Sequence, residues 1–327
     1  STSLSHYDIS RYYLKEKQFI EFSPQLYGSF NREKLNGETE SDTKILFTQL
    51  SFRLGYGKGR IEHVEDARHA IYILEALKKN AVLKRNISDD DITRLAECMT
   101  VIKHKRQFDS RIKLIEEIAT VDSFLVANNI VEETNGSPYF TALYDEWQYA
   151  GLITRLSGSR FSAGVSPDYY FLKQTYGEDK SYNSRIQGTA YVNYNYEKPV
   201  NLYWQHSFFA EVGESVGRER YSDDNFWNTY LELSAKLGYY PNSRTYMTVG
   251  ISEDISYLTR KNYDKIYSRT YLAFDAYYYL SPQLRLKANA NIAYLYNKNE
   301  YDRDYYNKYI YKEPVFAFEV ALTYSIF

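Results

Sequence analysis

Apolar and polar residues alternate along most of the second half of the chain, from about Arg160 to Phe327. In residues 284–296 every even-numbered position is apolar or aromatic, whereas the odd-numbered positions include Arg285 and Lys287. A period of two predicts extended strands with one apolar and one polar face. Eight segments have this pattern with differing clarity: 160–172, 185–196, 202–212, 227–239, 245–258, 270–280, 284–296 and 315–326.

The predicted strands are long for a soluble β-sandwich, the other fold in which strands alternate in this way. They run for roughly 12 to 16 residues, whereas strands of soluble proteins average about 5 to 6. A tilted strand needs about 9 to 11 residues to cross a membrane. Aromatic residues such as Trp204, Trp227 and Tyr239 stand at the segment ends, where a membrane barrel has its interfacial girdles. The pattern therefore predicts transmembrane strands.

Two further alternating segments, 18–30 and 44–56, bring the predicted wall to ten strands. Residues 1–16 form an N-terminal arm in this prediction, or they add to the wall and raise the count to twelve. The predicted fold class is mainly β, an antiparallel transmembrane β-barrel with an inserted α-helical domain. Its parts are the arm (1–16), strands one and two (17–57), the helical insert (58–157) and strands three to ten (158–327).

The hydrophobic period changes to that of a helix between strands two and three. From about Ile61 apolar residues recur at helical spacing, and a second helix begins at Ser88, where the aspartates that follow suit its positive end. A third helix begins near Asp109, and Ser137-Pro138 starts a fourth. A barrel of this size is nearly filled by its own side chains. We therefore expect the insert to hang below the barrel or to lie partly across its mouth.

The predicted connections differ in length, and this difference orients the barrel. Short turns are predicted at 197–199, 240–243 and 281–283, each with a proline in or beside it. Longer polar connections are predicted at 177–184, 214–225, 259–268 and 297–314. Outer-membrane barrels have short periplasmic turns and long external loops. The protein is thus predicted to lie in the bacterial outer membrane, in contact with lipid and lipopolysaccharide, with the helical insert in the periplasm.

Composition narrows the possible partners. The formal charge of −2 and the lack of a long basic run exclude a nucleic-acid surface. The single cysteine, Cys98, excludes an intrachain disulfide. No apolar run approaches the about 18 residues of a transmembrane helix. The mean hydropathy of −0.57 fits strands that are polar on one face. Ser1 has no basic and apolar leader around it, so any export signal is expected to have been removed already.

The chain ends on the aromatic strand Tyr324-Ser325-Ile326-Phe327. This ending resembles the terminal strand of bacterial outer-membrane proteins, although Phe327 is out of phase with the lipid-facing Tyr324 and Ile326. The resemblance implies recognition by the barrel-assembly machinery. With 37 tyrosines, the composition also resembles that of outer-membrane proteins of the Bacteroidetes, and neither likeness assigns a specific family.

Ten charged residues have the parity of the barrel interior: Arg53, Arg160, Arg185, Glu211, Glu232, Lys236, Asp275, Arg285, Lys287 and Glu319. Charges of both signs allow two interpretations. The residues line a polar pore with charged selectivity, or they form a salt-bridged network that fills a narrow lumen. The second interpretation is favoured for ten strands, because the lumen of so small a barrel is nearly filled by side chains.

No catalytic, metal or cofactor site is predicted. Several barrel enzymes use His with Ser or Asp near the outer rim, but none of the histidines here falls on a predicted external loop. His63, His69 and His104 are assigned to the periplasmic helices, His206 to the lipid-facing side and His6 to the arm. His63 and His69 also share a helical face poorly, which argues against a metal site. We therefore predict that the protein is not an enzyme.

Seven aromatic residues form two candidate partner surfaces: Tyr139, Phe140, Tyr144 and Trp147 on the last helical segment, and Tyr305, Tyr306 and Tyr309 on the last external loop. Two functions remain open. In the first, the barrel is an anchor or subunit of an envelope assembly, and its insert docks a periplasmic or lipoprotein partner. In the second, it is a narrow channel or transport component gated by the insert. The size of the insert favours the first.

Overall fold

The protein is mainly β, as the alternating pattern predicted, and four helices interrupt its antiparallel sheet. This architecture comes from a computed structural model. It describes residues 2–35, 41–104, 110–132, 136–149, 153–177, 179–220, 224–261, 263–281, 283–301 and 308–324.

The strands and helices follow one another in the order that the change of hydrophobic period predicted. The strands before the helices are β1 (Thr2–Tyr7), β2 (Ser10–Tyr13), β3 (Gln18–Leu35) and β4 (Ser41–His63). The helices are α1 (Glu65–Lys79), α2 (Asp89–His104), α3 (Ser110–Ala127) and α4 (Ser137–Tyr149). The remaining strands are β5 (Leu156–Tyr176), β6 (Asp179–Pro199), β7 (Trp204–Glu219), β8 (Asp224–Tyr239), β9 (Thr245–Arg260), β10 (Tyr263–Tyr279), β11 (Leu284–Tyr301) and β12 (Lys308–Tyr324).

Among the described residues the sheet has twelve strands, so the predicted wall of ten was wrong and the alternative count of twelve holds. Each of the ten predicted strands overlaps one of β3 to β12, and these pair in chain order. The two added strands come from the predicted arm. Thr2 of β1 pairs with Phe30, and Ser10 of β2 pairs with Phe22, so both lie along the same side of β3. The arm was not assigned strands of its own, because β1 and β2 are each too short to show a clear period.

The sheet separates an apolar outer face from a polar inner face. On the outer face Leu54, Ile251 and Ile292 each keep 45–53% of their surface exposed. On the inner face Arg53 of β4 reaches Glu211 of β7, which lies three strands away in the sheet order. The sheet is therefore strongly curved and barrel-like. Exposed aliphatic side chains on several strands of the outer face are compatible with lipid contact and unusual for a surface in water.

The connections at the two ends of the sheet do not differ in length as predicted. Three predicted long loops are mostly strand, and the chain between the strands there is only 177–178, 220–223 and 261–262. At the other end the connections are 200–203, 240–244 and 280–283. We call this second end the turn end. The helical insert adjoins it, because β4 ends and β5 begins at this end of the sheet. The predicted difference in loop length, from which the barrel was oriented, was therefore wrong.

The wall away from the turn end is polar on its outer face. Lys298 and Glu300 continue the outward parity of Ile292 on β11 and form an ion pair at 3.0 Å. Asp264 has the corresponding place on β10, opposite Glu300. Strands of 16 to 23 residues, at about 3.3 Å per residue, extend beyond a hydrocarbon layer of about 30 Å even when tilted. The excess length therefore lies at the end opposite the helices.

The helical insert has its own core, built from the apolar stripes of all four helices. Leu77 of α1, Leu95 of α2, Leu125 of α3 and Leu143 of α4 are buried together. The four predicted helices are confirmed, each beginning within a few residues of its predicted start. The insert is shorter than 58–157, because β4 continues to His63 and β5 begins at Leu156.

The start of α2 is fixed by a reciprocal cap that the aspartates at its N-terminus suggested. The Ser88 backbone N–H donates to Asp91 Oδ2 at 2.9 Å, and the Asp91 N–H donates to Ser88 Oγ at 3.2 Å. Arg85 donates to both Asp91 oxygens at 2.7 Å. The Arg85 guanidinium holds the pKa of Asp91 well below its usual range.

We expect Asp91→Asn to destabilise α2 by about 1–2 kcal/mol at neutral pH, because it weakens the cap and removes the charge that Arg85 pairs with. Because its pKa is lowered in the folded protein, the Asp91 carboxylate stabilises the fold at pH values above its ordinary pKa of about 3.9. This stabilisation is lost as the pH falls through the lowered pKa. The difference between the two proteins should therefore shrink in acid. Amide hydrogen exchange in α2 measures it, with the exposed Asp90→Asn as control. A loss that does not change with pH would contradict the role of the charge.

Candidate functional site

The inner face carries a group of polar and aromatic side chains between β3 and β8, which we call the interior cluster: Glu21, Arg53, Tyr191, Asn193, Glu211 and Tyr230. Its centre is the ion pair of Arg53 and Glu211. Arg53 Nη1 donates to Glu211 Oε1 at 3.3 Å, and Arg53 Nη2 donates to Oε2. Two strands separate β4 from β7, so this pair crosses the concave side of the sheet.

The rest of the interior cluster surrounds that ion pair. The Arg53 guanidinium lies 3.5 Å from the centre of the Tyr191 ring, and its Nε lies 3.6 Å from Glu21. Tyr230 Oη donates to Glu211 Oε1 at 2.8 Å, and Asn193 Nδ2 donates to Oε2 at 3.3 Å. Glu211 thus accepts hydrogen bonds from three residues. The cluster thus occupies this side of the interior, and its hydrogen bonds converge on the Glu211 carboxylate.

The structure pairs four of the ten predicted interior residues with one another. Besides Arg53 and Glu211, Lys287 Nζ lies 3.6 Å from Glu319. Glu232 stands opposite Glu211 in the β7–β8 register.

The other five predicted residues are spread around the inner face. Arg185 and Arg285 lie 5.3 Å from the rings of Tyr170 and Tyr277. Asp275 accepts from Thr248 at 3.4 Å, and in the strand register Arg160 pairs with Gly59 and Lys236 with Gly250. A single network of all ten stays a prediction.

Sequence reasoning missed four members of the interior cluster: Glu21, Tyr191, Asn193 and Tyr230. A signal for Glu21 was present, because the outward parity of Ile20 and Leu26 puts the odd-numbered positions of β3 inside. Tyrosine gave no comparable signal, since it occurs on both faces of these strands.

A second group of contacts joins the helical insert to the turn end, and we call it the junction. Arg155, one residue before β5, is 2% exposed. Its Nη1 donates to the Leu202 carbonyl at 2.7 Å, its Nη2 to the Asn201 and Trp204 carbonyls at 3.1 and 3.0 Å, and its Nε to Gln205 Oε1 at 2.6 Å. Arg155 thus closes the turn between β6 and β7 with four hydrogen bonds.

Helix α1 contributes to the junction through Arg68 and Tyr72. Tyr72 Oη donates to the Tyr240 carbonyl at 3.1 Å, and Arg68 Nη2 donates to Tyr72 Oη at the same distance. The Tyr240 ring lies between two cations, 5.0 Å from the Arg68 guanidinium and 4.5 Å from that of Arg155. Burial raises the pKa of the Tyr72 hydroxyl.

Helix α4 completes the junction through its C-terminal part. Arg244, in the turn before β9, donates to both carboxylate oxygens of Asp145 and lies 4.2 Å from the Tyr149 ring. The neighbouring Glu146 is half-buried, and burial raises the pKa of its carboxyl group. Three elements of the insert are therefore fastened to the turns, which places the insert against the turn end.

A third feature is an apolar groove between α3 and α4, about 320 Å³ in volume. We call it the α3–α4 groove: Ile115, Ile118, Ala119, Asp122, Tyr139, Phe140, Leu143 and Tyr144. Ile115 is 82% exposed and Phe140 57%, and the Phe140 ring lies 6.0 Å from that of Tyr144. Tyr139 Oη donates to Asp122 Oδ1 at 2.5 Å, which satisfies both polar groups in the groove wall.

The candidate surface predicted on the last helix is therefore divided. Phe140 and Tyr144 are exposed, whereas Tyr139 and Trp147 are buried in the helical core. Trp147 Nε1 donates to Glu117 Oε2 at 3.1 Å. Of the second predicted surface, Tyr305 and Tyr306 lie outside the described residues, and Tyr309 is placed on β12 by its backbone pairing.

Three of the five histidines lie where the sequence assigned them: His69 on α1, His104 at the end of α2 and His206 on the outward side of β7. His6 is in β1 and His63 ends β4, where its Nδ1 lies 3.2 Å from Glu65. His69 is fully buried, with its ring 5.3 Å from Trp147. In the described ranges no three His, Cys, Asp or Glu side chains are arranged to hold a metal. No described helix combines the length and the hydrophobicity that crossing a membrane requires.

The fold and the inner face together define a barrel-like protein with an apolar outer surface. A scan of protein-family models and a search of curated proteins found no match. Among solved structures, the chain is similar to OmpT folded in vitro, an outer membrane protein of Vibrio cholerae. That match covers 98% of this chain and 94% of the other, with 7% sequence identity and a TM-score of 0.29. Similarity this low carries no argument about activity.

The prediction that the protein is not an enzyme is withdrawn. It rested on the absence of histidines from the external rim, and such an absence does not exclude catalysis by other groups.

Proposed function

We propose that this protein is an outer-membrane barrel that serves as an anchor or subunit of an envelope assembly. Its helical insert faces the periplasm and docks a partner through the α3–α4 groove. The observation that carries the proposal is the exposure of Ile115 and Phe140 beside an apolar groove, on a domain whose four helices bury a common apolar core. Exposed apolar patches of this kind mark interaction sites.

The asymmetry of the outer face supports the orientation. The polar extension with Asp264, Lys298 and Glu300 lies opposite the helices. Outer-membrane barrels project furthest from the membrane on the external side. The turn end, and the insert fastened to it by the junction, then face the periplasm.

The partner best suited to the α3–α4 groove is an amphipathic helix from a periplasmic protein or lipoprotein. A groove between two helices accepts a third helix, whose apolar face enters at intervals of three and four residues. The lining of the groove is otherwise apolar or aromatic, and its one carboxylate, Asp122, accepts a hydrogen bond from Tyr139. The apolar face of the partner supplies the affinity, with Phe140 as the aromatic anchor.

The interior cluster supports the anchor function over the channel alternative. Arg53 and Glu211 bridge β4 and β7, and Tyr191 lies directly against the bridge. An ion that passed this side of the interior would have to displace groups that are already paired. The insert is also fastened at the junction by buried hydrogen bonds, which does not suit a gate that moves readily.

Replacing Phe140 with serine should weaken partner binding by about 30-fold or more, because the loss of a central aromatic anchor costs about 2 kcal/mol. Full-length protein in detergent is used as bait for an envelope extract, and retained proteins are quantified by mass spectrometry. Phe140 is mostly exposed, so its replacement leaves the helical core intact.

Val101→Ser is the matched control, since Val101 is 53% exposed on α2 and away from the groove. The proposal expects a protein that wild type and Val101→Ser retain and Phe140→Ser loses. If the three baits retain the same proteins in the same amounts, the groove is not the docking site.

A further inference from the structure

The strands at the two edges of the sheet, β1 and β12, run in the same direction. All pairings between neighbouring strands are antiparallel, and β12 lies nine strands beyond β3 in the sheet order. β12 is therefore antiparallel to β3, as is β1. In the described residues no pairing joins β12 to β1 or β2. Direct closure would require a parallel pair in a sheet that is otherwise antiparallel throughout.

The strands at both edges are also exposed on their two faces. On β12 the outward Phe316 and Phe318 are 71% and 75% exposed, compared with 41% for Phe274 on β10. The inward Ala317 and Glu319 of β12 are exposed as well. On the other edge, every residue of β1 is exposed. A strand that is exposed on both faces has no neighbour on its free side.

An open edge is unstable in lipid, because each unpaired backbone N–H and C=O there costs several kcal/mol. One additional strand, antiparallel to both edges, would satisfy them and keep the whole wall antiparallel. The longest stretch of the chain outside the described residues within the sheet has six residues, 302–307, too short for the about 9–11 that span a membrane. A second copy of this chain in the same membrane orientation could add only a strand parallel to β12 and β1, because its own edge strands run in their direction.

We propose that the gap between β12 and β1 is a docking site for one β-strand of a partner polypeptide, which runs from the turn end towards the opposite end. The strand completes the wall by β-augmentation. The proposal is independent of the α3–α4 groove and of what binds there.

The surroundings define the chemistry of that strand. Its outward side chains are apolar, because they lie between Phe318 of β12 and Leu4 of β1, both mostly exposed. Its inward side chains are polar, because Glu319 faces the interior on one edge and Arg11 does so on the other, where it pairs with Glu21 at 2.7 Å. The partner strand therefore alternates with a period of two.

The test is photo-crosslinking in the outer membrane of cells that express the full chain. Benzoylphenylalanine replaces Ile310, Phe318 or Tyr324 on β12, or Leu4 on β1, one position at a time. The expected result is capture of the same alternating partner segment from both edges. Because that segment runs opposite to β12, Tyr324 should capture residues nearer its N-terminus than Ile310 does.

The same label at Phe274, inside the wall, is the control, and its yield of polypeptide adduct should be several-fold lower than at Phe318. Four results would overturn the proposal: adducts between β12 and β1 or β2 of the same chain, adducts to a second copy, adducts to lipid alone at every position, or partner residues captured in the reverse order. The first of these would establish parallel self-closure in place of a docked strand.

Discussion

Replacing Arg155 with alanine is expected to destabilise the protein by about 3–5 kcal/mol, because several buried acceptors lose their hydrogen bonds at a cost of about 1–3 kcal/mol each. The guanidinium donates to three backbone carbonyls and to Gln205, and no other side chain at the junction occupies its place. Alanine would leave those acceptors buried and unpaired. It would also remove one of the two cations that lie against the Tyr240 ring.

Urea unfolding of the protein in detergent, followed by the change in electrophoretic mobility on unfolding, measures the loss. Arg155→Lys should recover only part of the stability, because an ammonium group cannot reproduce the planar fork of donors. Arg60→Ala is the control. Arg60 is 55% exposed and its ion pair with Glu62 should be worth less than about 1 kcal/mol. Equal losses for Arg155→Ala and Arg60→Ala would show that the junction does not stabilise the fold.

The ten long strands were predictable because alternation is a local signal. In β11 the outward set from Leu286 to Tyr296 is apolar without a break, so the strand could be recognised from its own residues. Its continuation through Lys298 and Glu300 could not, because the outer face becomes polar where the wall leaves the lipid. The same loss of pattern made strand ends look like long loops and led to the wrong loop lengths.

The division of the last helix could have been predicted more sharply. Tyr139, Leu143 and Trp147 are spaced four apart, so they share one helical face, and all three are buried. Phe140 and Tyr144 form the neighbouring stripe and are exposed. Treating the four aromatics as one surface ignored this periodicity.

Contacts between distant parts of the chain were beyond the reach of local patterns. Arg53 and Glu211 are 158 residues apart in sequence, and only the curvature of the sheet brings them together. Parity correctly put both on the inner face without indicating that they meet. Arg155 offered even less, because it lies in the connection before β5 and its partners are mainly backbone carbonyls.

Replacing Arg53 with alanine is expected to raise the single-channel conductance of the protein several-fold from a low wild-type level. The side chain spans the inner face from β4 to Glu211 on β7, and its removal takes away the bridge that occupies this part of the interior. The variant should also be less stable by about 3–5 kcal/mol, because Glu211 and Glu21 lose their shared cation. The double variant Arg53→Ala with Glu211→Ala should keep the higher conductance and recover part of the stability, since one unpaired carboxylate is gone.

Planar-bilayer recordings of the wild type and these variants measure the effect. Lys287→Ala is the control, since Lys287 also faces the interior but pairs at 3.6 Å with a Glu319 side chain that is 60% exposed. Removing that open pair should change conductance little, because it does not bridge the concave face. If the wild type conducts freely, or if Arg53→Ala and Lys287→Ala have the same effect, the interior cluster does not occlude the barrel. The channel function would then be favoured over the anchor, with the ion path running past Arg53.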